Sequence, residues 1–324
     1  MKLTVDCILT SQLSALPHDS ALAYLLSKAN REWLDLPLEA LLCNQHGLKP
    51  ELDYPLAVIA VGADGLNAGD AYWLRADPVH LTMQRDSFSL SDPVPVPMRG
   101  EHAEHLVASL NQHFGQDGLT FVIGRSGAWY LRLNQAPQIK TDLPSVAVGK
   151  GIYQFMPQGA TSAKWRAFLN EAQMLLHDHP VNMVRESAGE VAVNSIWLSG
   201  GGVMPLRAGL HRDIHNDVDL IIADHPFYRG LAQWSGFPSQ AIAVNPAAIL
   251  QNAASYRHVR LQWPSEQSLS EMGFHVLLNA LKANKIKALT LNLGCYEKTL
   301  TATMTRLDTF KFWQKLKPVM HFLA

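Results

Sequence analysis

A chain of 324 residues, 48% of them hydrophobic and 17% charged, holds ample material for one large domain or two ordinary ones. Its 27 Lys+Arg and 28 Asp+Glu leave a formal net charge of -1, which argues against broad nucleic-acid binding, because no basic excess exists to neutralise a phosphate backbone. The cysteines Cys7, Cys43 and Cys295 are widely spaced and build neither a disulfide framework nor a CxxC metal pair.

The amino-terminal MKLTVDCILTSQL carries an apolar run interrupted by Asp6, which is not a signal-peptide pattern. No stretch reaches the ~20 apolar residues of a membrane-spanning helix. The expectation is a cytoplasmic chain with no membrane contact. Ser20 to Arg31 has helical spacing, with Leu22, Leu25 and Leu26 on one face. A second helix is predicted from Leu38 to His46, ending at Gly47. The run Leu56 to Val61 reads as a buried strand by its length and β-branched content.

The texture then changes. Ala71 to Leu81 and Ser87 to Leu90 read as strands with partly exposed faces, followed by Pro93, Pro95 and Pro97. A helix from Glu101 to Phe114 precedes a hairpin of Leu119 to Ile123 and Ala128 to Leu133 around Arg125-Ser126-Gly127. Ser162 to about Asp178 is an amphipathic helix. Beyond it, strands are predicted at Ser195 to Leu198, Val218 to Ile222, His258 to Gln262 and Ile286 to Leu293. Helices are predicted at Pro226 to Trp234, Leu269 to Ala283 and Asp308 to Leu316. Alternating strands and helices argue for a mostly parallel α/β sheet.

Three stretches carry a chemical signal. In Trp73 to Leu81, period two places Arg75 and Asp77 on one face, either as a structural ion pair or as a guanidinium presented to an anion. In His179 to Glu186, Asn182 and Arg185 fall on one turn of a helix beginning near Pro180. They are either polar groups at an anion site or hydrogen-bonding groups of a hinge. His177 and His179 are two apart at a helix end and point different ways, which speaks against a shared metal. The third stretch, Asn194 to Gly202, is a strand running into Gly200, Gly201 and Gly202. It has no GxGxxG or GK[ST] spacing, so a tight turn explains it as well as a ligand does.

Taken in order, GDAYWLRADPVHL (Gly69 to Leu81), the hairpin through Arg125, HPVNMVRESAGEVAVNSIWLSGGG (His179 to Gly202) and VDLIIADHPFYRGLAQWSGF (Val218 to Phe237) resemble the cofactor-independent phosphoglycerate mutases of the archaeal type. They are more closely similar to bacterial regulatory proteins of the RpfE type. The resemblance covers about Pro37 to Phe237. It implies an abbreviated alkaline-phosphatase-like α/β core from 1–68 and 189–324, interrupted by an inserted α+β domain at 69–188. It also implies a cleft between the two, lined by Arg75, Asp77, Arg125, His179, Asn182, Arg185 and Gly201.

Those mutases use two divalent metals and a serine nucleophile, because paired cations hold the attacking and departing oxygens. Here Asp6 is followed by Cys7 where an Asp-Gly ligand belongs. Asp224-His225 falls in a strand-helix context that matches a structural part of the family, and a strand-end Asp can equally cap the next helix. His211, Asp213, His215, Asp217 and Asp219 offer five donors in nine residues, with no HExxH pattern. The expectation is a protein with no catalytic residues and no cofactor, which binds a small anionic or phosphorylated ligand or a protein partner. The alternative is a Mn- or Mg-dependent phosphoryl-transfer enzyme with ligands from His211, His215, Asp224 and His225.

Overall fold

The computed structural model describes residues 1–8, 16–17, 19–85, 87–206, 218–243, 246–263 and 271–323. It divides into two compact units: Met1–His46 with Arg212–Ala324, and Gly47–His211. The segment expected as an insertion, 69–188, lies inside the second unit together with flanks on both sides. Those flanks belong there because the strand after Ala188 pairs into its sheet and the helix before Gly69 packs on that sheet.

The first unit begins with β1 (Lys2–Ile8), α1 (Ala21–Lys28), β2 (Asn30–Leu34) and α2 (Leu38–Gln45). Strand β1 is buried along five consecutive residues, as suits a strand flanked by two parallel neighbours. Helix α1 starts where the Ser20 side chain accepts from the Ala23 backbone N–H at 3.1 Å, and it buries Leu22, Leu25 and Leu26. It ends at Lys28, three residues before the expected Arg31. Ala29 is already extended, and Asn30 to Leu34 spend their backbone groups pairing with a neighbouring strand.

The second unit runs α3 (Leu56–Ala63), β3 (Tyr72–Val79), β4 (Leu81–Met83), β5 (Phe88–Leu90), α4 (Gly100–Phe114), β6 (Thr120–Ile123), β7 (Trp129–Leu133), β8 (Ile139–Lys140), α5 (Pro144–Ala147), β9 (Gln158–Gly159), α6 (Ser162–His177), α7 (Pro180–Ser187) and β10 (Ser195–Gly202). Its main sheet is antiparallel, in the order β10-β3-β7-β6. Helices α4 and α6 cover the sheet through an aromatic cluster in which the Phe114 and Phe168 rings lie 4.7 Å apart. The run expected as a strand at Leu56 to Val61 is instead α3. Its residues are apolar all round, so no period separates strand from helix, and the run packs against both β3 and β10. Strand β3 is consequently buried along almost its whole length rather than half-exposed.

The chain returns to the first unit with β11 (Leu220–Ile222), α8 (Pro226–Ser235), β12 (Ser239–Gln240), α9 (Pro246–Asn252), β13 (His258–Gln262), α10 (Glu271–Lys282), β14 (Ala288–Cys295), β15 (Lys298–Thr305) and α11 (Met320–Leu323). The seven-stranded sheet has the order β12-β11-β13-β1-β14-β15-β2. The first five strands are parallel, and β15 turns the edge antiparallel. The α/β character with a large, mostly parallel sheet is as expected. The helix expected from Asp308 to Leu316 is a short 3-10 turn, Arg306–Phe310, followed by irregular chain. Lys28 Nζ donates to the carbonyls of Lys311 and Gln314, taking acceptors that a helix would have used.

Candidate functional site

Strand β3 sets Arg75 and Asp77 on one face, and the guanidinium donates to the Asp77 carboxylate. Arg75 also stands over the Tyr130 ring, 5.5 Å from its centroid. Tyr130 Oη donates to Asp64 Oδ2 at 2.8 Å. Ser126 adds its backbone N–H and its hydroxyl to the same carboxylate at 2.7 and 2.8 Å. Asp64 caps the end of α3, and Gly124 is what lets it sit there: a Cβ at 124 would fall 2.0 Å from Asp64 Oδ2. Gly65, at φ 83°, leaves room for the Arg125 side chain to cross it. Arg75, Asp77, Asp64 and Tyr130 thus form one buried network, a guanidinium with two carboxylates. Arg125 joins through its backbone N–H, which donates to the Asp64 carbonyl at 3.0 Å, and keeps its side chain exposed. The Arg75 Nε is enclosed with no hydrogen-bond partner among the described residues. Burial pushes the Tyr130 hydroxyl far up, so it stays a donor.

His179, Asn182 and Arg185 form a separate group on α7. His179 Nδ1 accepts from the Val181 backbone N–H at 3.2 Å, and its Nε2 meets Ser109 Oγ at 2.9 Å. Burial and then His105 hold the His179 pKa below its ordinary value, which keeps this cap neutral. Asn182, 2% exposed, donates to the carbonyls of Leu176 and Val193 and accepts from the Val193 N–H. Arg185, 1% exposed, donates to the carbonyls of Val191 and Pro97 and pairs with Glu190 at 3.0 Å. Both side chains are thus engaged within the second unit. Backbone that no strand or helix satisfies has claimed both side chains.

Gly201 lies in a third place. Strand β10 is irregular between Ser199 and Gly202, and α3 and β3 crowd it. A Cβ would come within 2.8 Å of Leu56 at Gly200, 2.3 Å of the Tyr72 hydroxyl at Gly201 and 2.7 Å of Pro55 at Gly202. Close packing therefore explains the three glycines. Beside them opens a cavity of about 140 Å³, lined by Lys49, Glu51, Asp53, Tyr72, Gln138, Gly201 and Gly202 among others. Asp53 accepts from the Thr141 backbone N–H at 2.9 Å and from the Gly201 N–H at 3.4 Å. Burial pushes its carboxyl up against those bonds. Tyr72 is 6% exposed, and its hydroxyl has no hydrogen-bond partner among the described residues. Burial, Asp53 and Glu51 push that hydroxyl well up, so it enters the cavity protonated. Sequence reasoning found Gly201 and missed Asp53 and Tyr72. No motif marks them, and only the bulge in β10 brings them together.

In the first unit, Asp6 on the central strand β1 is closed off. Arg260 Nε lies 3.0 Å from Asp6 Oδ2, and Asn292 Nδ2 donates to Oδ1 at 2.7 Å. Asp224 and His225 are exposed after β11. Asp224 Oδ1 accepts from the Ile242 N–H at 3.1 Å, and His225 Nδ1 caps α8 through the Phe227 N–H at 3.2 Å. Asp219 sits at the opposite end of β11, accepting from the Arg257 and His258 N–H groups. Among the described residues, no group of three or more His, Cys, Asp and Glu is placed to hold a metal. His211, Asp213, His215 and Asp217 lie outside the described residues. The described donors do not fit a two-metal site.

No family model matches the chain. It is 25% identical over 138 residues to a 2,3-bisphosphoglycerate-independent phosphoglycerate mutase of Methanosarcina barkeri, covering 42% of this chain and 34% of that one. A probable 2,3-bisphosphoglycerate-independent phosphoglycerate mutase of Geobacter sulfurreducens is 25% identical over 158 residues, 48% of this chain and 39% of the other. The chain is a distant relative of the cofactor-independent phosphoglycerate mutases. The matched stretch spans little more than a third of the length of these mutases. The fold of this mutase relative is similar to that of the PH0037 protein from Pyrococcus horikoshii, with a TM-score of 0.50 and 13% identity over 94% of this chain and 87% of that one. None of its helices among the described residues is long and apolar enough to cross a membrane.

Proposed function

We propose that this mutase relative is a non-catalytic, ligand-binding or regulatory protein on an abbreviated alkaline-phosphatase-like core, as the resemblance to bacterial RpfE-type regulators implies. The observation that carries the reading is the Asp6–Arg260 pair. A carboxylate on the central strand of the parallel sheet is neutralised by a protein cation and an amide, so it has no charge left to hold a divalent ion. The ligand enters the cavity beside Gly201. Lys49 and the Tyr72 hydroxyl donate to an acidic group, while Glu51 accepts from hydroxyls, a set that suits a small hydroxylated acid better than a bare phosphate.

Two measurements on the full chain test this. A thermal-shift screen of small hydroxy acids, with and without phosphoryl groups, is expected to find a stabilising ligand whose effect Tyr72→Phe weakens. Elemental analysis and a mutase assay with added Mn²⁺ or Mg²⁺ are expected to show neither bound metal nor turnover. Stoichiometric metal with turnover abolished by Asp224→Ala or His225→Ala would establish the phosphoryl-transfer alternative in its place.

A further inference from the structure

The segment after β15 is tied down at its backbone and bare at its side chains. Tyr24 Oη donates to the Thr309 carbonyl at 2.8 Å, and Lys28 Nζ donates to the Lys311 carbonyl at 2.6 Å and to that of Gln314. The Lys317 N–H donates to Ser27 Oγ at 3.0 Å. The main chain from Thr309 to Lys317 is therefore held against α1. Yet Leu307, Phe310, Phe312, Trp313, Leu316 and Met320 are all exposed, Phe312 at 89% and Trp313 at 67%. Large apolar side chains on a fixed backbone, gathered within fourteen residues of sequence, present apolar area that water disfavours and that none of the described residues covers.

The charge around them has one sign. Asp308 is the sole acidic residue between Arg306 and His321, and it is spent on Lys311 at 2.6 Å and on Thr305. Arg306, Lys315 and Lys317 are exposed and pair with no carboxylate among the described residues, and Lys317 Nζ lies 2.7 Å from His321 Nε2. On a chain of net charge -1, this is a local basic strip interleaved with aromatic and aliphatic groups.

We propose that this strip docks the protein on an anionic lipid bilayer, with Phe312 and Trp313 seated at the headgroup boundary and the lysines among the anionic headgroups. Three features favour that occupant. Aromatic rings with basic neighbours are the composition that binds the bilayer interface. Leu307, Leu316 and Met320 have no π-face on which a nucleic-acid base could stack, whereas acyl chains accept them. The shared positive charge opposes pairing with a second copy of the strip. The expectation of no membrane contact rests on the lack of a spanning-length apolar stretch, and interfacial docking needs none.

Vesicle flotation with the full chain tests the proposal. Binding is expected to phosphatidylcholine vesicles containing phosphatidylserine, to weaken with added salt, and to be far lower on phosphatidylcholine alone. Phe312→Ala with Trp313→Ala is expected to reduce binding by about tenfold or more, and Lys315→Gln with Lys317→Gln to remove its salt dependence. Both pairs are exposed, so the melting temperature of each variant should match that of the parent chain. Failure to bind anionic vesicles, or binding that both variants leave unchanged, overturns the proposal. So does self-association, seen by light scattering and abolished by Phe312→Ala with Trp313→Ala, in a chain that does not float with vesicles.

Discussion

Arg260 Nε lies 3.0 Å from Asp6 Oδ2, with the arginine 3% and the aspartate 1% exposed, on adjacent parallel strands in the middle of the sheet. The pair is extended by Asn292, by Gln45, and by His46, whose Nε2 is 3.3 Å from the guanidinium. A buried charge is tolerated only while its partners stay in place. Arg260→Leu should therefore cost about 3–5 kcal/mol, because it strands the Asp6 carboxylate. Urea denaturation measures it, and a loss below about 1 kcal/mol, the range of an exposed pair, would show that Asp6 is solvated.

His46 gives a pH test. Burial, and then the Arg260 charge, lower its pKa to about 3 from 6.5. Its Nδ1 meets Ser235 Oγ at 2.6 Å, which leaves Nε2 to accept from Arg260 in the neutral form. The folded chain binds this proton less readily than the unfolded one. The stabilisation is thus complete above about pH 6.5 and is lost as pH falls from there toward about 3. Denaturation curves across that window should show a steep decline. His46→Asn should be less stable at neutral pH and show a shallower slope.

The glycine turn separates packing from ligand binding. At Gly201 a Cβ would stand 2.3 Å from the Tyr72 hydroxyl and 2.8 Å from Leu74 Cδ2. Gly201→Ala should cost about 1–3 kcal/mol through forced displacement of β3 side chains. Tyr72→Phe should leave stability nearly unchanged, since its hydroxyl has no hydrogen-bond partner to lose among the described residues. Equal thermal shifts for the two variants would contradict this geometry.

Asp64 and Asn182 are read as anchors of the second unit. Asp64→Ala removes acceptors for Ser126 and Tyr130, and Asn182→Ala strands the carbonyls of Leu176 and Val193. Each should cost about 2–4 kcal/mol, against about 1 kcal/mol for Tyr130→Phe, because a stranded buried polar group is dearer than a deleted one. Neither alanine variant should change the affinity of a ligand in the Tyr72 cavity once compared well below its melting temperature. A selective loss of binding in Asn182→Ala would return that residue to the ligand site.

Local pattern made much of the architecture legible: the amphipathic helices at Gly100–Phe114 and Ser162–His177, the hairpin around Ser126, and the strand at His258–Gln262 follow from periodicity and turn residues. The kinship with the mutases was legible too, in the order of its motifs. Leu56–Ala63 was not, because a run that is apolar on every side has no period, and only its packing on β3 and β10 decides that it is a helix. Likewise the sequence shows that Arg75, Asp77, Asn182 and Arg185 are polar groups in apolar surroundings. Whether such groups face a ligand or a stranded carbonyl depends on which backbone lies opposite. That is a long-range fact, set when Val193 meets Asn182 and Arg260 meets Asp6, and tertiary structure alone decides it.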